Sequence, residues 1–243
     1  VASLEPRRST AQAMTNSNMR IILNSTDRTK CVMVLSDLHI GDPRQSDAKI
    51  DRIVETIETN RPDILVLNGD TIECDLATRD QMYKLIDVCS NIDKVIVLEG
   101  NHDTKKTKYL AYTIGATYGS VLAGYSLASS YIVEHGSRFD SWWVRFPISG
   151  WSAILFNRLI YNISNFDVQK WLRGFGGINK KLEKQHKIAR KAWPDKNIVI
   201  TGHTHIPTGN NVRGKGYFNS GDWIYHKSYV IIHNGKARLE NAG

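Results

Sequence analysis

Three short apolar runs, residues 31–35, 63–67 and 94–98, each break off at a polar loop, and the stretches between them carry helical periodicity. Runs of four or five apolar residues suit strands covered on both faces. Ile50, Ile53, Val54 and Ile57 recur at i, i+3, i+4 and i+7, which predicts an amphipathic helix over 46–60. A second helix is expected over 78–90. Strand, helix, strand, helix, strand is the order of a layered α/β fold, because parallel strands need a crossover of this length. Further along, 103–114 reads as a helix, 126–133 and 197–201 as strands, and 216–219, 228–233 and 236–239 as antiparallel strands. Asn234-Gly235 is the preferred pair for a tight type I′ turn between the last two. Residues 1–29 are polar, and are expected to form a loose arm with a short strand at 20–23, ahead of a domain over 30–243.

The loops that end the strands hold the chemistry. They read Ser36-Asp37-Leu38-His39, Asn68-Gly69-Asp70, Glu99-Gly100-Asn101-His102-Asp103, Glu134-His135-Gly136 and Thr201-Gly202-His203-Thr204-His205. Ligands of α/β sheets sit at the carboxyl ends of strands. Asp37, Asp70, Asn101 and His135 follow one another at steps of 33, 31 and 34 residues. One strand–helix unit has about that length, so successive units bring their loops to one edge. A single D-x-H carries little weight, since a strand-end His is often only a satisfied polar residue. H-x-H weighs more, because alternate strand residues face the same way. Five such loops are hard to assign to chance. Pooled, they offer Asp37, His39, Asp70, Asn101, His135, His203 and His205. This mixture of oxygen and imidazole donors suits Mn²⁺, Fe²⁺, Co²⁺ or Zn²⁺ rather than Ca²⁺. Seven donors exceed the needs of one ion, and a shared carboxylate would let two sit about 3.5–4 Å apart, as in-line attack on phosphorus requires. His186, His226 and His233 fall outside these loops and are read as surface or core residues.

Charge and aromaticity are unevenly spread. The formal net charge is +8, and residues 138–196 hold twelve basic residues against four acidic ones, so the remaining 20 and 20 cancel. Five of the six Trp lie in the same segment. Its apolar run over 142–163 is interrupted by Arg145 and Arg158, and its longest uncharged stretch, 146–157, is twelve residues. A transmembrane helix needs about 20. A basic helix is expected over 178–192. An apolar aromatic face beside Lys and Arg fits a phospholipid-like substrate or an anionic membrane surface. It also fits nucleic acid, whose bases stack on aromatics. A helical hairpin packed on the body by its Trp residues, with a solvated Lys face, fits as well. Ile, Leu and Phe dominate the run and favour lipid over nucleic acid. Arg138, Trp142, Trp143 and Arg145 are the candidate substrate contacts.

A hydrophobic fraction of 41% and a charged fraction of 23% exclude wholesale disorder and collagen-like or coiled-coil architecture. Three cysteines without C-x-x-C spacing argue against a disulfide scaffold and a structural zinc site. Ile21-Ile22-Leu23 is too short for a signal-peptide core. The expected setting is the cytoplasm, with peripheral contact at the inner membrane face through 138–196.

D-x-H, G-D, G-N-H-D, H-G and G-H-T-H, in that order over about residues 31–240, resemble the motifs of the calcineurin-like metallophosphoesterase superfamily. The resemblance implies two packed mixed β-sheets flanked by helices, with 138–196 as a helical cap insertion. It implies that Asp37, His39, Asp70 and His205 hold one divalent metal and that Asp70, Asn101, His135 and His203 hold another, Mn²⁺ first among the candidates. It gives His102 a place facing the substrate phosphate and Asp103 the task of orienting His102. Gly69-Asp70-Thr71-Ile72-Glu73 differs from the V-D-R-G sequel of the protein Ser/Thr phosphatases. His135-Gly136-Ser137-Arg138-Phe139-Asp140, the long insertion and Tyr217-Phe218-Asn219-Ser220-Gly221-Asp222-Trp223 are similar to the UDP-2,3-diacylglucosamine diphosphatase family, which cuts a nucleotide-lipid diphosphate. Well-known members of that family carry Arg where this chain has His102. A phosphodiesterase or nuclease of the superfamily, or a non-catalytic phospholipid or nucleic-acid binder, are the alternative functions.

Overall fold

Alternate residues of the central strands face opposite ways, and this alternation lays out the molecule. The computed structural model describes residues 19–73, 76–127, 129–139, 159, 161, 178–212 and 215–243. On β2 (Val32–Leu35), β3 (Ile64–Asn68) and β4 (Lys94–Leu98), one set of side chains is Val32, Val34, Ile64, Val66, Ile96 and Leu98. These pack against a second sheet through Leu122, Tyr131, Val133, Ile198, Ile200 and Phe218. The opposite set, including Met33, Leu35, Leu65, Leu67, Val95 and Val97, is covered by helices α1 (Asp47–Asn60), α2 (Arg79–Ser90) and α3 (Lys105–Thr113). Helix α2 opens on a reciprocal cap, in which Gln81 N donates to Thr78 Oγ1 and Thr78 N donates to Gln81 Oε1.

The first sheet runs β12-β11-β2-β3-β4-β5, with β5 (Thr117–Gly119), β11 (Ser228–His233) and β12 (Lys236–Asn241). Strands β2 to β5 are parallel, and β11 is antiparallel to both β2 and β12. The second sheet runs β1-β6-β7-β8-β10-β9, with β1 (Arg20–Ile22), β6 (Val121–Ser126), β7 (Ser129–Glu134), β8 (Ile198–Thr201), β9 (Thr208–Val212) and β10 (Lys215–Asn219). In it β7, β8 and β10 are mutually parallel. Its outer face, through Ala123, Ile132, Val199 and Tyr217, is covered by α4 (Ile178–Ala192), whose Ala189 is fully buried there. Two mixed sheets flanked by helices are therefore the architecture.

Several elements differ from expectation. The strand expected over 126–133 is β7, begun three residues later, and it is the second arm of a hairpin whose first arm, β6, was not expected; the chain turns at Leu127, whose φ is 51°. The strand expected over 216–219 pairs antiparallel with the preceding β9 but does not join the following β11. It lies in the second sheet, parallel to β8, because the chain crosses between layers before β11. Residues 20–29, placed in a loose arm, carry β1 and a 3₁₀ turn over Ser25–Thr29, with Ile21 and Leu23 buried between the sheets. Residues 1–18 lie outside the described residues. Asn234 and Gly235, at φ of 50° and 75°, form the expected left-handed turn.

Ile96 is fully buried between the sheets. Ile96→Ala is expected to lower unfolding stability by about 2–5 kcal/mol, measured by chemical denaturation. A loss below about 0.5 kcal/mol would mean the layers are not held together at this point.

Candidate metal centre

The carboxyl ends of β2, β3 and β4 in one sheet and of β7 and β8 in the other meet at one edge. Asp37 N donates to Gly69 O and His39 N donates to Asp70 O, which fastens the first two loops side by side. Gly202 N donates to His135 O, which does the same for the second sheet. Five of the nine non-glycine residues with left-handed backbone, among those described, are Asp37, His39, Asp70, His203 and His205. Such residues carry about 1–3 kcal/mol of strain each and persist where surrounding contacts over-determine them. Two glycines let the loops close. A side chain at Gly100 would collide with the Asp70 backbone and carboxylate, and one at Gly202 with Ser36 and the Asp37 carboxylate.

All seven candidate ligands converge. Donor atoms of Asp37, His39, Asp70 and His205 lie within 4.8 Å of one another, as do those of Asp70, His135 and His203. Asp70 is common to both groups. His205 Nε2 is 3.1 Å from Asp37 Oδ1 and 3.1 Å from His39 Nε2. His135 Nε2 is 3.2 Å from Asp70 Oδ2 and 3.2 Å from Asn101 Oδ1. Asp70 Oδ1 accepts from His102 N at 2.8 Å, and Asp37 Oδ2 from His203 N at 2.9 Å and from Ser36 Oγ.

The second nitrogens of three inward rings show whether this set fits a cation. His39 Nδ1 meets the Glu73 carboxylate, His135 Nδ1 meets Asn68 O at 3.0 Å, and His205 Nδ1 lies 3.2 Å from Asp222 Oδ2. An imidazole that gives its Nδ1 proton to an oxygen presents a bare Nε2 lone pair, the form a divalent ion takes. The residues present therefore fit a metal pair.

Glu73 and Asp222 were not singled out by the sequence, since each acts from behind a ligand. Both belong to quoted motifs, three residues after Asp70 and three after Asn219. Glu73 also lies 2.9 Å from His102 Nδ1. This corrects the role given to Asp103, whose oxygens accept from Thr71 N, Ile72 N, Gly100 N and Thr107 Oγ1 and do not meet His102. Asp103 ties the β3 and β4 loops together, and Glu73 orients His102. His226, set aside as surface or core, has its Nδ1 3.4 Å from Asp222 Oδ2. Arg138 pairs with Glu134 at 2.6 Å and covers the Phe139 and Trp193 rings. Trp142, Trp143 and Arg145 lie outside the described residues.

Electrostatics follow from the crowding. Burial alone would raise the Asp37 carboxyl, but His205 and His135 hold it below its ordinary value. Asp70 is likewise kept low against its burial by His135 and His102, and Glu73 by His39 and His102. Burial opposes charge on His135 and His205 too, yet Asp70 and Asp37 push the first up to about 9, and Asp37 and Asp222 the second up to about 9. Burial and the neighbouring Asp70 push Asp103 up to about 6.

Cations must therefore displace protons from these imidazoles. Affinity for Mn²⁺ is expected to rise between pH 7 and 9, by up to about tenfold per pH unit for each proton released, and to level off above that. Calorimetric titrations in buffers of different ionisation enthalpy count the protons. Affinity independent of pH over that window would contradict the proton assignment.

A family model described as calcineurin-like phosphoesterase matches residues 32–220. A curated relative, "Transmembrane protein with metallophosphoesterase domain" from Bos taurus, is 27% identical over 183 residues, covering 72% of this chain and 40% of that protein. The chain thus spans less than half of that relative's length. Among solved structures, Yfce, a phosphoesterase from E. coli, superposes with a TM-score of 0.51 at 15% identity, covering 88% of this chain and 93% of that one. A structure described as a novel archaeal phosphodiesterase gives a TM-score of 0.49 at 14% identity, covering 87% and 99%.

Proposed function

The chain belongs to the calcineurin-like phosphoesterase family, and from that premise we propose that it is a dinuclear metal-dependent phosphohydrolase. The observation that carries this reading is that Asp70 belongs to two donor groups at once. Asp37, His39, Asp70 and His205 would hold one ion, and Asp70, Asn101, His135 and His203 the other. When bound, a pair of divalent ions supplies Lewis-acid charge to phosphoryl oxygens and lowers the pKa of water. Mn²⁺ leads the candidates, with Fe²⁺, Co²⁺ and Zn²⁺ sharing the donor preference.

The protein's own groups do the rest. Glu73, held on His102 Nδ1, orients the ring, so that a protonated His102 Nε2 can offer a proton to the leaving oxygen or a hydrogen bond to charge building on the phosphoryl group. Asp103 keeps the loops bearing Asp70 and His102 in register.

We propose the diphosphate bond of a nucleotide-lipid as the target. The quoted His135–Asp140 and Tyr217–Trp223 motifs and the basic, aromatic segment 138–196 support that choice. Arg138, Trp142, Trp143 and Arg145 would then contact the substrate. A phosphodiester is the second reading. The working place in this proposal is the cytoplasmic side of an anionic membrane, touched by exposed Lys184, Lys187 and Lys191 of α4. The bovine relative, named as a transmembrane protein, supports a membrane setting. Among the described residues no helix is long and apolar enough to cross a membrane.

Asp70→Asn is expected to reduce Mn²⁺-supported hydrolysis to background; wild-type turnover in that variant, or in excess chelator, would overturn the reading. His102→Ala should lower kcat about 10²–10⁴-fold while bound Mn²⁺, measured by elemental analysis, stays at the wild-type level. Loss of the metal instead would move His102 into the ligand set. A panel of monoester, diester and diphosphate substrates with Mn²⁺ separates the two substrate readings by the bond cut fastest.

A further inference from the structure

His203 and His205 are both left-handed, at φ of 67° and 62°, with Thr204 between them, and such a loop needs external support. Beside the bonds of His203 N to Asp37 and of Gly202 N to His135 O, one buried amide supplies that support. Asn219, the last residue of β10, is fully buried, and the two protons of its Nδ2 are shared among Gly202 O at 2.7 Å, Thr204 Oγ1 at 3.0 Å and Thr201 Oγ1 at 3.2 Å. Its Oδ1 accepts from Gly221 N at 2.9 Å, which fixes the amide's orientation. Ser220 N and Oγ both donate to Thr201 O. The network continues outward. Thr201 Oγ1 is 2.8 Å from Tyr217 Oη, which lies 3.3 Å from Gln185 Oε1 on α4, and Tyr217 stacks on His186 at 4.4 Å.

We propose that Asn219 is the positioning residue for the loop carrying His203 and His205, and that Tyr217 joins this clamp to α4. The inference rests on the metal reading above and adds to it. Asn219 holds no cation. It sets the backbone from which two imidazoles, one in each donor group, are aimed. An Asn suits the place because a carboxamide donates to the loop's acceptors with one atom and accepts from Gly221 N with the other. The carboxylate of an Asp could accept from Gly221 N but would face Gly202 O with no proton to give. Because α4 carries part of the chain's excess positive charge on exposed Lys184, Lys187 and Lys191, the clamp also fastens that basic face to the metal loop.

The test titrates the whole chain with Mn²⁺ and measures the melting temperature of the metal-free protein, for wild type, Asn219→Ala, Thr204→Val and Tyr217→Phe. Support for another ligand's geometry is typically worth about 10–100-fold in metal affinity, so Asn219→Ala is expected to weaken Mn²⁺ binding by that factor. Thr204→Val keeps the side chain's shape but loses one acceptor, and is expected to weaken binding with little change in metal-free melting. A merely structural role would lower melting and leave the folded protein's affinity unchanged. Wild-type affinity in folded Asn219→Ala and in Thr204→Val would overturn the proposal, and Thr204→Val decides alone if Asn219→Ala fails to fold. A larger loss from Tyr217→Phe than from Asn219→Ala would move the positioning role off Asn219. No Mn²⁺ binding by the wild type would overturn the metal reading itself, and the inference with it.

Discussion

Asp37, Asp70, Glu73 and Asp222 are all at most 2% exposed and crowd one edge of the sandwich, where each carboxylate repels the others. Taking even one such charge out of water is expensive unless it is paired and hydrogen-bonded. The surrounding loops are arranged to meet that demand. Backbone N–H groups of His102 and His203 point at Asp70 and Asp37, and those of Tyr225 and His226 point at Asp222. Imidazoles fill the remaining sides, and the carboxylates around His135 and His205 push those two up to about 9. The left-handed turns at five of the ligands are the backbone's share of the arrangement, since an extended chain could not fold each carboxylate back toward its neighbours.

Neither sheet can satisfy this edge alone. The first supplies Asp37, His39, Asp70 and Glu73, and the second supplies His135, His203, His205 and Asp222. The geometry therefore depends on the apolar layer between the sheets, where Val34, Val66, Ile96, Tyr131, Val133 and Ile200 meet below the site. Trp223 ties the helix-covered core of the first sheet to the site, since it is fully buried in that core and its N donates to Asp37 O. The site and the core thus form one cooperative unit. Small changes in layer spacing would be felt as changes in ligand distance, because packed interiors transmit strain.

Much of this was legible in the sequence. The runs at 31–35, 63–67, 94–98 and 197–201 are strands because several residues in succession must be buried on both faces, and that pattern is local. The helix at 178–192 and the turn at Asn234-Gly235 are equally local. The seven ligand candidates were legible because they follow strand ends at the interval of one strand–helix unit. What was missed depends on contacts between distant segments. Strand β5 has three residues and β9 reads Thr-Gly-Asn-Asn-Val, so neither carries a hydrophobic pattern. The placement of β10 beside β8 rather than β11 is a choice between sheets that alternation cannot encode. Glu73 and Asp222 lie within the motifs but touch ligands 34 and 17 residues away in sequence, and Asp103 sits next to the histidine it was expected to orient but faces the other way.

The distribution of charge completes the argument. Outside 138–196 the formal charges cancel, yet four of the carboxylates in that balanced body are gathered at one edge. Left to themselves they would repel a phosphate. Protons on His135 and His205 offset part of that repulsion, and two divalent cations, four positive charges against four carboxylates, would offset it in full while returning both imidazoles to their neutral, ligating form. Cation binding would then do two things at once, supplying the chemistry and removing the barrier to an anionic substrate. The exposed lysines of α4 lie outside this local balance. Long-range attraction between them and a polyanion depends on salt, whereas the compensation within the buried edge is screened much less. Approach of the substrate and its conversion are thus expected to respond differently to ionic strength, the first falling as salt rises and the second holding nearly constant.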